Sequence, residues 1–179
     1  MIRIHLPLTE KTIETLRAGQ QVVFHGRLLT ARDAAHKRLV DSIAAGEQLP
    51  VDLRGQVIYY VGPSPAPPGH VVGAAGPTTA GRMDPYTPAL LAQGLKGMIG
   101  KGHRSPEVVA AVVKYKGVYF VTYGGAGALL SKTVKAACVL AYADLGPEAI
   151  HEFVVEDFPA LVANDMYGGD IFQRLRRQN

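Results

Sequence analysis

Six short runs rich in β-branched and aromatic residues alternate irregularly with three helical segments along this chain. Such runs are typical of strands, and they cover residues 22–29, 56–61, 71–75, 118–123, 134–142 and 151–155. The alanines in 134–142 also permit a helix there. An irregular mixture of strands and helices favours a mixed α/β layered domain over a regular doubly wound sheet.

Each helical segment opens on a hydroxyl residue that can cap free backbone N–H groups. The predicted helices cover residues 30–46, 87–94 and 105–116. In the first, Thr30 and Asp33 resemble a capping box. With 179 residues and 47% hydrophobic composition, the chain is long and apolar enough for a real core, so we predict a single compact domain over residues 1–179.

Two segments depart from this pattern. Residues 62–69 contain four prolines, which exclude a helix and a central strand and predict a proline-rich loop inside the domain. Residues 173–179 form a basic tail with Arg174, Arg176 and Arg177. That tail is interpreted equally well as an anion-attracting cluster or as a solvated helix end.

Composition narrows the classes of partner. A net charge of +4 suggests an anionic ligand, but the chain has no Trp and no basic run outside the tail, which argues against nucleic acid. We find no apolar run of about 18 residues and no signal-peptide core, so we expect a cytoplasmic protein without a membrane partner. The single cysteine, Cys138, is predicted to be a packed apolar side chain.

Residues 76–84 read Gly-Pro-Thr-Thr-Ala-Gly-Arg-Met-Asp and form the clearest candidate anion site. Glycine lets backbone N–H groups approach a ligand, and the Thr78 hydroxyl offers a hydrogen bond. The planar guanidinium of Arg82 matches a carboxylate or phosphate. The alternative is an ordinary proline-containing turn with a surface arginine.

A second candidate lies at the start of the first predicted helix. Arg32 and His36 are four residues apart, so they share one helical face near a helix N-terminus, which favours anions. His36 is the residue type best suited to proton exchange near neutral pH. The alternative is a capped surface helix, and we assign Asp33 mainly to the cap.

Lys101 lies between two glycines and is therefore accessible to a ligand, although its surroundings do not match a phosphate-binding loop. Glycines at 124, 125 and 127 lack dinucleotide-binding spacing and instead predict close packing at the same site. The remaining histidines and aspartates show no metal-ligand spacing, so no self-contained metal site is predicted.

Together, residues 30–38, 76–84, 97–102 and 156–159 resemble the β part of the class I, iron–sulfur-dependent fumarases and of the related tartrate dehydratases. The motifs occur in the family's order, and the resemblance extends over about residues 6–172. It implies a swivelling β/β/α domain that pairs with a larger α subunit, in an α2β2-type or homodimeric assembly. That partner is expected to hold a [4Fe-4S] cluster, whose open iron acts as a Lewis acid on the substrate.

The resemblance also implies roles for single residues. Arg32, Arg82 and Lys101 are similar in position to the family's substrate-carboxylate binders, and Thr78 to its proposed catalytic base. A hydroxyl is a poor proton acceptor near pH 7, so His36 stays open as the alternative catalytic residue. Two cationic clamps in fixed geometry suit a C4 dicarboxylate.

The resemblance implies a hydro-lyase that interconverts fumarate and (S)-malate, with the isolated chain inactive. Fumarases of this family tend to carry Ala-Gly before the motif arginine, as Ala80 and Gly81 do here, and the tartrate enzymes carry bulkier residues. A tartrate dehydratase or another hydroxy-acid hydro-lyase remains the alternative enzyme. The second alternative is a non-catalytic anion-binding module.

Overall fold

Strands with alternating buried side chains make up most of the framework. The computed structural model describes residues 1–176, with side chains as far as residue 173. The strands are β1 (Ile2–His5), β2 (Gln21–Thr30), β3 (Val57–Tyr59), β4 (Gly97–Gly100), β5 (Val118–Val121), β6 (Val134–Ala141) and β7 (Ile150–Asn164). The helices are α1 (Glu10–Thr15), α2 (Asp33–Ala44), α3 (Thr87–Ala92), α4 (Pro106–Lys114), α5 (Gly127–Ser131) and α6 (Ile171–Arg176). Short 3₁₀ segments occur at Ala80–Met83 and Ala143–Glu148.

The sheet closes on itself through β7. Strands β1 to β5 run parallel to their neighbours, in the order in which they occur along the chain. The long strand β7 is antiparallel to β2 and also to β5, so β2, β3, β4, β5 and β7 form a barrel-like ring. Among the described strands, β6 pairs with β7 alone, so the other edge of β6 has no strand beside it.

Two hydrophobic clusters follow from the alternation of side chains along these strands. One cluster takes Phe24, Tyr59, Phe120 and Phe158 from four different strands of the ring. The other joins the opposite faces of the same strands to helices α2, α3 and α4, which supply residues such as Leu39. Both clusters are continuous with the ring, and the predicted mixed α/β architecture is confirmed.

The predicted helices agree with the structure more closely than the predicted strands. The helices predicted at 30–46, 87–94 and 105–116 correspond to α2, α3 and α4, and Ser105 caps α4 by accepting from Val108 N at 3.3 Å. The segment 134–142 is a strand. The strand predicted at 151–155 is correct but continues to Asn164, because β2 pairs with it across a bulge between Phe24 and Gly26.

The strand predicted at 71–75 is wrong. This segment folds back on the proline-rich loop, where Ser64 N donates to Ala74 O at 3.0 Å and Gly73 N donates to Ser64 O at 3.1 Å. Ala75 N donates to Gly127 O at 3.2 Å, so these backbone groups are paired with the loop and with the glycine-rich segment rather than with a strand of the sheet.

The Thr30 capping box is also wrong. Thr30 is the last residue of β2, buried, and its hydroxyl accepts from His151 N at 3.2 Å. Arg32 occupies the N-cap position and makes no side-chain capping hydrogen bond. Because the Thr30 hydroxyl at the end of this central strand is hydrogen-bonded to the neighbouring strand, it does not cap the helix that follows.

Cys138 does not pack in the core, as we predicted from its apolar neighbours, but lies exposed on β6. The reason is that β6 is an edge strand outside the ring, so alternation there does not lead to burial. Of the predicted basic tail, Arg177 and the last two residues lie outside the described residues, as do the side chains of Arg174 and Arg176. Within residues 1–176, no helix combines the length and apolar character needed to cross a bilayer.

Candidate anion-binding site

The three predicted cationic residues lie near the carboxyl ends of parallel strands. Arg32 follows β2, Lys101 follows β4, and the motif 76–84 that carries Arg82 packs beyond the end of β3. Ligands of α/β proteins commonly bind at this edge of a sheet, because neighbouring parallel strands bring their following loops together there. The fold therefore gathers residues that are up to 69 positions apart, from Arg32 to Lys101.

Backbone hydrogen bonds hold Thr78 beside Lys101. Thr78 N donates to Tyr60 O at 2.7 Å, and Lys101 N donates to Thr78 O at 3.2 Å. Ala80 N donates to Lys101 O at 2.9 Å. The motif thus pairs with the backbone around Lys101 and extends the sheet by one short pairing. Thr78 is half-buried and Lys101 is exposed. The Lys101 ammonium has no carboxylate partner among the side chains that the structure describes, which leaves it open to an anion.

Arg82 and Arg32 meet at Asp33. The guanidinium of Arg82 donates from Nε to Asp33 Oδ1 at 3.2 Å and from Nη2 to Asp33 Oδ2 at 2.6 Å. Arg32 Nε lies 4.0 Å from the same Oδ2 and 3.9 Å from Glu148 Oε1. The site thus combines three cations with two carboxylates, Asp33 and Glu148. Our assignment of Asp33 mainly to a helix cap is corrected, since its oxygens accept from Arg82.

His36 lies beneath this cluster and is completely buried. Its Nδ1 donates to the carbonyl of Arg32 at 2.7 Å, and its ring stands edge-on to Tyr60 at 5.3 Å between centroids. Nε2 is buried without a hydrogen-bond partner. The structure therefore brings His36 to the site through the backbone of Arg32, and its role as an acid or base stays a prediction.

Burial lowers the pKa of His36 from 6.5 to about 4, despite the opposing hydrogen bond to Arg32. Between these two pH values the unfolded chain binds a proton that the folded protein does not, so the free energy of unfolding falls as the pH falls. We expect this one group to account for about 3 kcal/mol between pH 6.5 and pH 4. Urea unfolding at pH 7 and pH 4.5 should show a smaller loss for His36→Asn than for the wild type.

The exposed His70 provides the control for that experiment, since His70→Asn also removes one histidine. This variant should keep the wild-type pH dependence. Equal losses for His36→Asn and the wild type would contradict the buried, neutral state of His36.

Arg104 is a cationic residue that our sequence analysis missed. Its side chain is fully buried, and Nε donates to Asp84 Oδ1 at 2.7 Å. Nη2 donates to Thr87 Oγ1 at 2.8 Å and Nη1 to Tyr60 OH at 3.2 Å. Asp84 Oδ2 accepts from Ser105 N at 2.8 Å, which ties the end of the motif to the start of α4. A charged pair so fully satisfied is structural.

Two small residues of the region have packing roles. Ala80 is fully buried, and a Cβ added to Gly100 would lie 3.1 Å from the Ala80 Cβ, so the Ala80 side chain packs in the core. Gly81 is exposed. Gly127 packs on the motif, where a Cβ would lie 2.9 Å from Gly76 N. The predicted close approach of the glycine-rich segment is therefore present.

The residues that the structure describes do not fit an iron–sulfur cluster or another metal centre. Across residues 1–176, no three His, Cys, Asp or Glu side chains are grouped as metal ligands. Cys138 lies on the exposed strand β6, whereas the cationic residues follow β2 and β4. The site as it stands offers positive charge and hydroxyls, which suit an anionic organic ligand.

This architecture is that of an α/β domain with a candidate anion site at the carboxyl ends of its parallel strands. The chain belongs to the fumarase C-terminus family, whose sequence profile matches residues 1–175. It is 42% identical over 154 residues to the aerobic class I fumarate hydratase of Escherichia coli strain K12, and 39% identical over 158 residues to fumarate hydratase 2 of Leishmania major. These matches cover 85% and 87% of this chain but only 28% of either relative.

A relative of similar length is the putative L(+)-tartrate dehydratase subunit beta of Methanocaldococcus jannaschii. It is 33% identical over 177 residues, which cover 96% of this chain and 91% of that protein. The chain thus spans less than a third of these two fumarate hydratases and nearly all of a protein named as a subunit. The resemblance drawn from the four motifs is confirmed at the level of the family.

Proposed function

We propose that this chain is the β part of a class I fumarate hydratase, which adds water reversibly to fumarate to give (S)-malate. The observation that carries the proposal is the convergence of Arg32, Arg82 and Lys101 with Thr78 at one edge of the ring. The identity of 42% to the fumarate hydratase of Escherichia coli, compared with 33% to the tartrate dehydratase subunit, supports fumarate as the substrate.

In this proposal the cations bind the two carboxylates of a C4 dicarboxylate. Arg82 contacts one carboxylate through a planar fork, while Lys101 and Arg32 supply further positive charge. In the direction of dehydration, the deprotonated Thr78 oxygen takes the proton from C3 of malate, and the electron pair of that C–H bond forms the C2–C3 double bond as hydroxide leaves C2. The proton and the hydroxide together make the one water that is released. The backbone of Lys101 is paired with that of Thr78, and the positive charge that Lys101 brings to the site would favour the deprotonated hydroxyl, because an opposite charge stabilises an anion.

The remaining parts of the proposal concern the assembly. The [4Fe-4S] cluster is proposed to lie on an iron–sulfur α subunit, with which this chain forms an α2β2-type or homodimeric complex. The chain's residues 1–176 bring no ligand set for such a cluster. The swivelling movement of a β/β/α domain and a cytoplasmic location belong to the same proposal.

Anaerobic reconstitution with an iron–sulfur α subunit tests this function. We expect fumarate hydration by the complex and none by the isolated chain, because each part supplies only a portion of the site. Hydration of fumarate by the isolated, metal-free chain would overturn the two-part account.

The tartrate dehydratase alternative is favoured by one observation, the match over nearly the whole length of the archaeal β subunit. Steady-state kinetics of the complex with malate and tartrate decide between them, and a higher kcat/KM for tartrate would replace our assignment.

The anion-binding module is tested by calorimetry of malate with the isolated chain. Tight binding without the partner favours the module, since an enzyme of this design lacks half its site.

Gly62 offers a direct test of the Arg32 position. A Cβ at Gly62 would lie 2.7 Å from Arg32 Nη1 and 3.0 Å from its Cδ, so Gly62→Ala must displace this side chain. We expect KM of the complex to rise about tenfold, the size of one weakened hydrogen bond to a charged group. Thermal unfolding should change little, because a flexible side chain yields rather than the backbone. Ser64→Ala, an exposed change in the same loop, is the control, and an unchanged KM for Gly62→Ala would remove Arg32 from the site.

A further inference from the structure

Asp33 is placed so that one carboxylate serves both arginines of the site. Its two oxygens accept from Nε and Nη2 of Arg82, at 3.2 Å and 2.6 Å. Its Oδ2 is also 4.0 Å from Nε of Arg32. The Asp33 side chain is 34% exposed, whereas that of Arg82 is 50% exposed. Arg82 is thus the more solvent-accessible of the two, and the Asp33 carboxylate holds it in place.

An arginine this exposed would sample several rotamers without such a partner, and ordering it at the moment of ligand binding costs affinity. Two parallel hydrogen bonds fix both the position and the plane of the guanidinium. They occupy the Nε–Nη2 edge of Arg82 and leave its Nη1–Nη2 edge, with the Nη1 hydrogens and the second Nη2 hydrogen, for a ligand. In addition, a negative charge between two guanidiniums offsets their mutual repulsion.

The position of Asp33 in the fold makes it a rigid support. It is the first residue of α2, and the residue before it, Arg32, is held by the buried His36 through its carbonyl. The segment that carries Arg82 is fixed separately. Asp84, two residues after Arg82, accepts a hydrogen bond from the buried Arg104. The pair therefore joins two anchored segments that come from the ends of different strands.

We infer that Asp33 is a positioning residue, which holds Arg82 and, through the same carboxylate, Arg32 in the orientation that receives the substrate. This inference rests on the proposed function for its effect on catalysis. In this role Asp33 does not need to contact the substrate directly. The opposite role, a carboxylate that competes with the substrate for Arg82, predicts the reverse change in KM.

Kinetics of the reconstituted complex test this role with three variants. We expect Asp33→Asn to lower kcat/KM at least tenfold, chiefly through KM, and Asp33→Glu to recover part of the loss because it keeps a carboxylate. Asp144→Asn is the matched control, since Asp144 forms a similar two-point pair with Arg38, at 2.9 Å and 2.5 Å, outside the site. It should remain within twofold of the wild type. An unchanged or lower KM for Asp33→Asn overturns the positioning role.

A second measurement, on the full chain by itself, does not depend on activity or on a variant that folds poorly. The Nε–H proton of Arg82, assigned by its loss in Arg82→Lys, should exchange with water more slowly than that of Arg27. Among the side chains that the structure describes, Arg27 makes one ion pair, with Glu152 through Nη1 at 3.4 Å, and it is 73% exposed. Equal exchange rates for the two arginines overturn the inference.

The two measurements separate failure of the inference from failure of the proposed function. An active wild-type complex with Asp33→Asn at the wild-type kcat/KM leaves the hydratase in place and removes the role of Asp33. An inactive wild-type complex contradicts the hydratase, and the exchange rate of Arg82 then supports or overturns the positioning of its guanidinium.

Discussion

Replacing Asp84 by alanine should lower the free energy of unfolding by about 3–5 kcal/mol, the usual cost of leaving a buried charge without its partner. The Arg104 side chain is 0% exposed and that of Asp84 is 14% exposed. Asp84→Ala removes the acceptor at 2.7 Å from Arg104 and the acceptor at 2.8 Å from Ser105 N. The Arg104 guanidinium is too deeply buried for water to replace the contact that it loses. Equilibrium unfolding in urea measures the loss.

Two further variants show whether the uncompensated charge is the cause. Arg104→Met in the Asp84→Ala background should recover much of the stability, because an apolar side chain replaces the stranded guanidinium among Tyr60, Met98 and Tyr119. Asp52→Ala removes a carboxylate from the exposed pair with Arg54 and should leave unfolding unchanged. Similar losses in Asp52→Ala and Asp84→Ala would contradict this explanation.

Replacing Thr78 by alanine should lower kcat of the reconstituted enzyme at least about 100-fold, the lower range of what a positioned acid or base contributes. The fold should be preserved. The motif is held by backbone bonds from Thr78 to Tyr60 and Lys101, which alanine keeps. KM should change less than kcat, since the three cations that we propose as carboxylate ligands remain. Steady-state kinetics with thermal unfolding on the same preparations measure both effects.

Thr79→Ala and His36→Asn complete this comparison. Thr79 is exposed, and its substitution removes the adjacent hydroxyl, so a smaller loss there shows that the effect belongs to Thr78. His36→Asn should act mainly on stability, because the imidazole is buried and bonded to the Arg32 carbonyl. A larger fall in kcat for His36→Asn, with assembly intact, would transfer the proton-transfer role to His36.

The cationic residues of the candidate site were predictable from sequence because each belongs to a local pattern. Arg82 lies in a glycine-flanked turn, Arg32 at a helix start and Lys101 between glycines, and parallel strands bring such loops together. Helices were predictable for the same reason. Ser105 and Pro106 mark the start of α4 through contacts within four residues.

Features that depend on distant pairing were not predictable in this way. The extension of β7 beyond Val155 follows from its pairing with β2, more than 100 positions earlier. The exposure of Cys138 follows from the edge position of β6, and the pair of Arg104 with Asp84 spans 20 positions. The pairing of Asp33 with Arg82, 49 positions apart, likewise has no local signature.

The closure of the ring by β7 has a consequence for how the chain acquires its structure. Hydrogen bonds such as that from His151 N to Thr30 link residues 121 positions apart, so the ring forms only after a long stretch of chain has been ordered. Such non-local pairing slows folding, because the entropy of closing the loop is lost before the contacts stabilise it. During synthesis one edge of β2 and one edge of β5 stay unpaired until β7 has been made, and unpaired strand edges of this kind favour aggregation.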